Sequence, residues 1–328
     1  MKAINADKWG KMMEFKTEKK FVSLVIYLHN NGGLLLPFLD QVLPVFEKGF
    51  EQFELVCVDD ACTDETMELL KGYVEDRKLS AMVSVVHMSF FQGLESGMNA
   101  GRDIAIGDFV YEFDDLTVDY DPELILEVYR LLLEGNDIVA AGREGSQRLT
   151  SRLFYFFYNR TSRGAGKIGP ETFRLISRRA INRIKSMGQY IPYRKAVYMN
   201  CGLGAKRITY AGKGAENKGK WKKQTEERAN LAFDSFVYFT NALEKISAVL
   251  SGCFLLATIL VGIYIIHDAI SSYQPVEGWM STMGFLALGF FGVFALLTII
   301  LKYLSVLLNL IFRQQRYLVA DIEKIVRQ

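Results

Sequence analysis

Residues 53–66 read FELVCVDDACTDET, a mostly apolar run that ends in two aspartates and a polar turn. A run of this length between polar turn residues is typical of a short strand buried on both faces. Residues 21–28, FVSLVIYL, have the same character. Residues 33–48 between them have the length and periodicity of a helix, so the sequence predicts a strand–helix–strand unit with parallel strands.

The same alternation of strand and helix continues downstream. We predict a helix at 63–76, a strand at 83–87, a helix at 93–106 and a strand at 108–113. This βαβαβαβ order predicts an α/β fold with a doubly wound, mostly parallel sheet. In such sheets, ligands bind outside the carboxyl ends of the strands.

Two later stretches, 246–266 and 280–301, contain no charged residue. Because a helix rises roughly 1.5 Å per residue, each stretch can cross a hydrocarbon core about 30 Å thick. They predict a two-helix transmembrane hairpin, with buried core helices as the alternative. The linker 267–281 has no Lys or Arg and its flanking segments are basic. The positive-inside rule therefore predicts a multi-pass protein of the cell membrane with both termini in the cytoplasm.

The chain divides into five predicted parts. These are an N-terminal tail (1–20), a cytoplasmic domain (21–224), an amphipathic interfacial helix (225–245), the hairpin (246–312) and a cytoplasmic tail (313–328). A helix docked on the sheet is the alternative for 225–245. The first tail lacks an apolar core and is not a signal peptide. The four cysteines form no CxxC pair, which argues against a zinc site or a disulfide framework.

Two acidic clusters follow strands of the predicted sheet. At Asp59 and Asp60, carboxylates can accept hydrogen bonds from a nucleobase or ribose, and the amides of the following turn favour phosphate. A helix cap is the alternative. The second cluster, EFDDLTVD at 112–119, could hold a divalent cation that neutralises a diphosphate leaving group, or could be a solvated acidic loop. Both clusters are expected at the same edge of the sheet.

Six segments occur in a characteristic order along the chain: VIYLHNN (25–31), VDDACTDET (58–66), SFFQGLESGMNAGRDIAIGDFVYEFDD (89–115), DPELI (121–125), TSRLFY (150–155) and TFRLISRRA (172–180). In this order they resemble the family 2 inverting glycosyltransferases. They are most similar to the polyprenyl-phosphate group that contains dolichol-phosphate mannose synthase and the bactoprenol glucosyltransferases. The resemblance covers nearly the whole chain and implies a GT-A-like nucleotide-sugar domain.

The resemblance implies roles for individual residues. Asp60 would contact the base, with Asp59 supporting the turn. The catalytic residues would be Asp114, Asp115 and Arg174. Mg²⁺ or Mn²⁺ would be held by Asp114 with either Asp115 or Asp119. The nucleotide-sugar would also lie near Asn30, Gly93 and Asn99.

The chain departs from the family pattern at several positions. Tyr27 stands in the usual proline position, His29 in the usual tyrosine position, and Gly169 where an acidic residue is expected. The implied reaction is a single displacement on a UDP- or GDP-sugar. A polyprenyl phosphate is already ionised and attacks without a general base, so it needs an acid at 169 less than a hydroxyl does. Transfer to a lipid-linked sugar hydroxyl and a non-catalytic scaffold are the alternatives.

The segment 213–223 is rich in glycine and lysine. It is predicted to close over the donor diphosphate or the acceptor phosphate through Lys213, Lys218 and Lys220. The alternative is that these lysines only fix the topology and attract anionic lipid. The expected partners are therefore a nucleotide-sugar, a lipid-linked acceptor and membrane lipid. No nucleic-acid partner is expected, and the oligomeric state is left open.

Overall fold

Four parallel strands form the centre of the sheet, as the sequence predicts. The computed structural model describes residues 17–77, 79, 81–144, 155–156, 159–160, 168–187, 193–213, 249, 256, 263, 278–312 and 317–325. The central strands are β1 (Val22–Leu28), β2 (Phe53–Asp59), β3 (Met82–Met88) and β4 (Phe109–Phe113). The connecting helices are α1 (Gly32–Gly49), α2 (Thr66–Arg77) and α3 (Leu94–Ile104), and α2 begins three residues later than predicted.

The rest of the described chain adds four strands and four helices. In chain order these are α4 (Leu124–Leu133), β5 (Ile138–Arg143), β6 (Phe173–Ser177), α5 (Arg178–Ser186), α6 (Arg194–Asn200), β7 (Ala205–Tyr210), α7 (Gly278–Phe312) and β8 (Val319–Ile325). The eight strands form one sheet in the order β7-β5-β6-β4-β1-β2-β3-β8. Strand β6 is antiparallel to β4 and β5, and β8 is antiparallel to β3. The sheet is therefore mostly parallel.

The strand order places a switch point beside β1. The chain runs outward from β1 through β2 to β3 and then crosses back to add β4 on the other side of β1. Leu28 of β1 is in register with Asp59, and Ile26 is in register with Phe113. Both acidic clusters thus follow strands that flank β1, at the edge where such sheets bind ligands.

Helix α3 packs unusually close to the sheet. A Cβ atom added at Gly101 would lie 2.5 Å from Val58 and 2.6 Å from Val25, and one added at Gly97 would lie 3.0 Å from the ring of Tyr27. Glycine at these positions therefore allows the helix to approach β1 and β2. This approach brings the first residues of α3 to the carboxyl ends of the strands.

Two apolar layers cover the sheet. Helices α1, α2 and α4 pack on one face, and α3, α5 and α6 pack on the other. Strands β1 and β2 are buried along their whole length. Strands covered on both faces need continuous apolar side chains, which is why their sequences are runs rather than alternations.

The C-terminal segment differs from its prediction as a tail. Residues Val319–Ile325 form β8, which pairs with β3 and closes that edge of the sheet. The backbone of Leu318 is fastened by Gln92, whose Nε2 donates to the Leu318 carbonyl at 2.6 Å and whose Oε1 accepts from the Leu318 N–H at 2.8 Å. The segment was missed because its side chains are only partly buried and mix charged with apolar residues.

The predicted membrane region is described only in part. Helix α7 has 35 residues and includes the second predicted span, 280–301. Counted over the residues that the structure describes, no helix is both long enough and apolar enough to cross a membrane. The predicted helix at 225–245, most of the first span and the lysines Lys218 and Lys220 lie outside the described residues.

Candidate active site

The first acidic corner consists of Asp59 and Asp60 at the end of β2. Asp60 is fully buried. Its Oδ2 accepts hydrogen bonds from the Tyr27 hydroxyl and the Gly93 N–H, both at 2.7 Å, and its Oδ1 accepts from the Gln92 N–H at 2.8 Å. The protein itself therefore uses both oxygens of Asp60. This carboxylate, predicted to contact a base, holds the start of α3 against β1.

Asp59 links the turn after β2 to the edge of the sheet. Its Oδ1 accepts from the Cys62 N–H at 2.9 Å, and its Oδ2 lies 2.8 Å from Nδ1 of His87. The other ring nitrogen of His87 lies 3.3 Å from a carboxylate oxygen of Glu323 on β8. Asp59 therefore holds the turn after β2, and the C-terminal strand contacts Asp59 through His87.

Asn30 joins the loops that follow β1 and β2. Its Oδ1 accepts hydrogen bonds from the N–H groups of Thr63 at 2.8 Å and Asp64 at 3.3 Å. Asn30 has a φ of 53° and Ala61 a φ of 54°, both in the left-handed region. Such backbone strain in non-glycine residues concentrates at functional sites. The structure thus places Asn30 at the first acidic corner.

Gly93 and Asn99 have different positions on α3. Gly93 precedes the helix with a φ of 84° and donates its N–H to Asp60, so it lies at the first acidic corner. Asn99 lies further along the helix and is buried, and its Oδ1 has no hydrogen-bond partner among the described residues. Beside Gly93, the rings of Phe90 and Phe91 are exposed, and Phe91 contacts His29 with ring centroids 4.4 Å apart.

The second acidic corner consists of Asp114 and Asp115 after β4. Arg174 on β6 is completely buried and contacts three carboxylates. Its Nη2 donates to Asp114 at 2.6 Å, its Nη1 to Glu112 at 2.9 Å and its Nε to Glu171 at 3.0 Å. The planar fork of a guanidinium allows this simultaneous pairing.

A second buried arginine repeats the arrangement. Arg194, the first residue of α6, donates from Nη2 to the other oxygen of Asp114 at 2.7 Å and from Nη1 to Glu112 at 2.6 Å. Its Nε donates to Glu95 of α3 at 2.9 Å. We call Arg174, Arg194, Glu112 and Asp114 the arginine clamp. It joins β4, β6 and α6 beside the switch point, and the contact of Arg194 with Glu95 links it to α3.

Tyr198 completes the hydrogen bonding of the clamp. Its hydroxyl donates to Glu112 at 2.7 Å and accepts from Arg102 at 2.9 Å. The ring also lies 5.6 Å from the guanidinium carbon of Arg174, a cation–π distance. Glu112 therefore receives hydrogen bonds on both carboxylate oxygens.

The clamp keeps Asp114 ionised. Burial alone would raise the pKa of Asp114, but the attraction of Arg174 and Arg194 outweighs burial and holds this pKa well below its usual range. Burial likewise opposes the charge of Arg194, and its carboxylate neighbours raise its pKa above the ordinary value. Asp114, Arg174 and Arg194 are therefore charged at neutral pH.

The three carboxylates predicted to bind metal have different surroundings. Both oxygens of Asp114 pair with arginines, and Asp119 accepts from Arg143 at 3.0 Å and from the Tyr210 hydroxyl at 2.7 Å. Asp115 accepts from Thr117 through one oxygen only. No three His, Cys, Asp or Glu side chains in the described part of the chain are placed to hold a metal ion. Because Mg²⁺ is often held by one or two carboxylates plus substrate phosphates, Asp115 fits such a role best.

Lys213 ties the start of the predicted lid to the second corner. Its N–H donates to the Asp119 carbonyl at 2.6 Å, and its ammonium lies 3.0 Å from Asp121. Burial would raise the pKa of Asp121, but the hydrogen bond from Lys213 lowers it. The described end of the lysine-rich segment therefore lies beside the loop that follows β4.

An arginine lies against Gly169. A Cβ atom built on Gly169 would overlap the guanidinium of Arg207 on β7. The position where the resemblance expects an acidic side chain is thus filled by a cation. Sequence reasoning missed this residue, together with Arg194 and Glu95, and counted Glu112 only as part of the acidic cluster 112–119. A signal existed for Glu112, because a charged residue inside the apolar strand FVYEF implies a buried partner.

Comparisons with known proteins find relatives among the glycosyltransferases. Residues 23–185 match the family described as Glycosyl transferase family 2. An uncharacterized glycosyltransferase of Synechocystis sp. is 27% identical over 312 residues, which cover 92% of this chain and 95% of the relative. A bactoprenol glucosyl transferase of Shigella phage SfV is 24% identical over 286 residues, covering 80% of this chain and 86% of the relative.

A solved structure shows the same fold. A mannosyltransferase from Pyrobaculum calidifontis, determined in complex with GDP-Man and Mn²⁺, superimposes with a TM-score of 0.50 at 15% sequence identity. The match covers 91% of this chain and 89% of that chain. The two chains therefore share the mostly parallel α/β fold described above.

Proposed function

The chain belongs to the family 2 glycosyltransferases, and we propose that it moves a sugar from a UDP- or GDP-sugar to a polyprenyl phosphate with inversion. The observation that carries the proposal is the position of the two acidic corners on either side of β1, at the switch point of the sheet. The relative from Shigella phage SfV, named for bactoprenol, supports a polyprenyl acceptor.

The nucleoside would bind at the first acidic corner. Asp59 and Asp60 hold the backbone of two loops there, and Asn30 joins those loops. The exposed ring of Phe91, packed on His29, offers a flat apolar surface beside the corner. Aromatic faces of this kind suit stacking with a base.

The diphosphate would lie toward the second acidic corner. Asp115 would hold Mg²⁺ or Mn²⁺, with Asp119 and Asp114 near it, and the Mn²⁺ in the solved mannosyltransferase supports a divalent ion. The ion would neutralise charge that develops on the leaving diphosphate. The arginine clamp holds Glu112 on β4 and Asp114 just after it, and Asp115 is the next residue in the chain. Preorganised positioning of this kind lowers the barrier to displacement.

The acceptor would attack the anomeric carbon directly. A phosphate oxygen forms the new bond while the bond from that carbon to the nucleoside diphosphate breaks and its electron pair leaves with the diphosphate. An ionised phosphate has no proton to lose in this step, whereas a sugar hydroxyl needs a base. At Gly169 the chain offers a guanidinium instead of a carboxylate, which favours the phosphate acceptor.

We place this reaction at the cytoplasmic face of the cell membrane. The support is the pair of uncharged stretches 246–266 and 280–301, and the exposed apolar side chains of α7, among them Leu288, Ile300 and Leu301. In the proposed hairpin topology, a Ser272→Cys variant reacts with an impermeant maleimide in intact cells. If residue 272 is protected and a cysteine introduced in the C-terminal tail is labelled instead, the topology is the reverse of the one proposed.

Turnover can be tested with the purified chain in detergent. Wild type would be incubated with a panel of UDP- and GDP-sugars, Mg²⁺ or Mn²⁺, and undecaprenyl phosphate. We expect release of UDP or GDP together with a lipid-linked sugar for one donor. Release that requires a lipid-linked sugar in place of undecaprenyl phosphate would contradict the acceptor assignment.

A further inference from the structure

Arg207 lies in a cross-strand row that leads to the arginine clamp. Arg207 of β7 is in register with Ala140 of β5, Ala140 with Arg174 of β6, and Arg174 with Glu112 of β4. Residues in register place their side chains on the same face of a sheet. Arg207 and Arg174 are therefore on one face, separated by a small alanine.

The two arginines of this row have opposite surroundings. Arg174 contacts the carboxylates of Glu112, Asp114 and Glu171. Arg207 forms no ion pair with any residue that the structure describes, and its buried Nη1 has no hydrogen-bond partner among them. A guanidinium is always protonated in proteins, and burying part of it without a counter-ion is costly. Among the described residues, Arg207 is thus a cation without a paired carboxylate.

The space around Arg207 is shaped by a missing side chain. The guanidinium occupies the place that a Cβ atom of Gly169 would take. Any larger residue at 169 would displace it. The chain therefore presents a cation between β7 and the segment that leads into β6.

We propose that Arg207 binds the phosphate monoester of the acceptor. A guanidinium matches the geometry of a phosphate through paired N–H donors. Arg207 is three strands from β4, on the side away from β1 and the first acidic corner. A donor that spans the two acidic corners leaves the β7 side of the sheet free for the acceptor. The inference rests on the proposed function, which supplies the phosphate acceptor.

Binding of farnesyl phosphate tests the site without turnover. The full chain in detergent would be titrated with farnesyl phosphate, with farnesol and with inorganic phosphate. Arg207→Gln should weaken farnesyl phosphate binding at least ten-fold and leave farnesol binding unchanged. Arg207→Lys, which keeps the charge but loses the fork, should weaken it less. The matched control is Lys206→Gln, which removes a neighbouring cation that pairs with the exposed Glu134 at 3.2 Å.

Several outcomes separate this inference from a packing role. Nucleotide affinity and melting temperature report whether each variant is folded, and a folded Arg207→Gln with wild-type affinity for farnesyl phosphate would overturn the inference. Inorganic phosphate binding as tightly as farnesyl phosphate would also overturn it, because the site would then be one for free phosphate. If undecaprenyl phosphate fails as an acceptor in the turnover assay but Arg207 still determines farnesyl phosphate binding, only the proposed function is contradicted.

Discussion

The two acidic corners have similar sequences and opposite chemistry. Each is a pair of aspartates that follows a buried strand next to β1. Asp60 in the first corner is held by neutral donors, namely two backbone N–H groups and the Tyr27 hydroxyl. Asp114 in the second corner is held by two buried arginines. The first corner fixes the path of the backbone, whereas the second concentrates charge beside the switch point.

The neighbouring strands explain the difference. The first corner faces loops, and their amides can bond to a carboxylate. The second follows β4, whose antiparallel partner β6 places Arg174 directly opposite Glu112. In a buried environment, several carboxylates stay ionised only when cations accompany them. The position of β6 in the sheet therefore determines what the second corner can do.

Removing Arg194 should have the largest effect. Arg194→Met leaves Glu95, Glu112 and Asp114 buried with one cation fewer, and breaking such a buried pair costs about 3–5 kcal/mol of unfolding free energy. Denaturant unfolding of the purified chain measures this loss. The control is Lys48→Gln, which breaks an exposed pair with Glu123 and should cost about 1 kcal/mol or less. Equal losses in the two variants would mean that the clamp does not stabilise the fold.

Lowering the pH should reduce the stability that Asp114 gives to the folded chain. Its pKa in the folded chain lies below the ordinary value of 3.8, so its contribution to stability is present above that pH and is lost as the pH falls through the folded pKa. Asp114→Asn lacks this contribution. The difference in stability between wild type and this variant, measured by thermal melting at each pH, should therefore decrease from pH 7 to about pH 3. A gap that stays constant would show that the two arginines do not depress this pKa.

Changing Asp60 should have a smaller effect than removing Arg194. In Asp60→Asn, an amide group replaces one carboxylate oxygen and faces backbone donors, which costs about 1–3 kcal/mol. Denaturant unfolding measures the loss of unfolding free energy. Tyr27→Phe removes one of the three hydrogen bonds to Asp60 and should cost less. A loss as large as that of Arg194→Met would remove the energetic contrast between the corners.

Removing the contact between Glu323 of β8 and His87 should have the smallest effect on stability. Glu323 receives hydrogen bonds from Lys71 and His87, which lower its pKa, but its side chain is 37% exposed. Glu323→Gln should cost about 0.5–1 kcal/mol because an exposed pair is screened by water. Thermal melting with and without nucleotide would show whether β8 affects the first corner. A loss of several kcal/mol would mean that the C-terminal strand is a principal support of that corner.

The central fold could be predicted because its signals are local. The apolar runs 21–28 and 53–58 coincide with β1 and β2, and the helix between them has nearly the predicted bounds. Strand β8 was missed because an edge strand is only half covered and shows no continuous apolar run. The antiparallel insertion of β6 between β4 and β5 also leaves no local trace, because it depends on which strands meet.

The candidate site could be predicted only in position. The sequence placed Asp59, Asp60, Asp114 and Asp115 at one sheet edge, and the structure has them there. It assigned Asp114 to a metal site or a solvated acidic loop, because nothing near it in sequence reveals its pairing with Arg174 and Arg194. Those contacts join residues far apart in the chain. The charged residues inside the apolar segments FVYEF and FRLIS were the available sign of a buried ion pair.

We propose that Asp114 stabilises the folded site and that Asp115 binds the metal ion of the donor complex. Comparing Asp115→Asn with Asp114→Asn tests it, with unfolding free energy and Mn²⁺-dependent UDP or GDP binding measured on each. We expect Asp115→Asn to stay within about 0.5 kcal/mol of wild type and to lose the Mn²⁺-dependent binding. Asp114→Asn should lose about 3 kcal/mol or more. A stable Asp114→Asn that loses the metal-dependent binding, beside an Asp115→Asn that binds normally, would contradict the account.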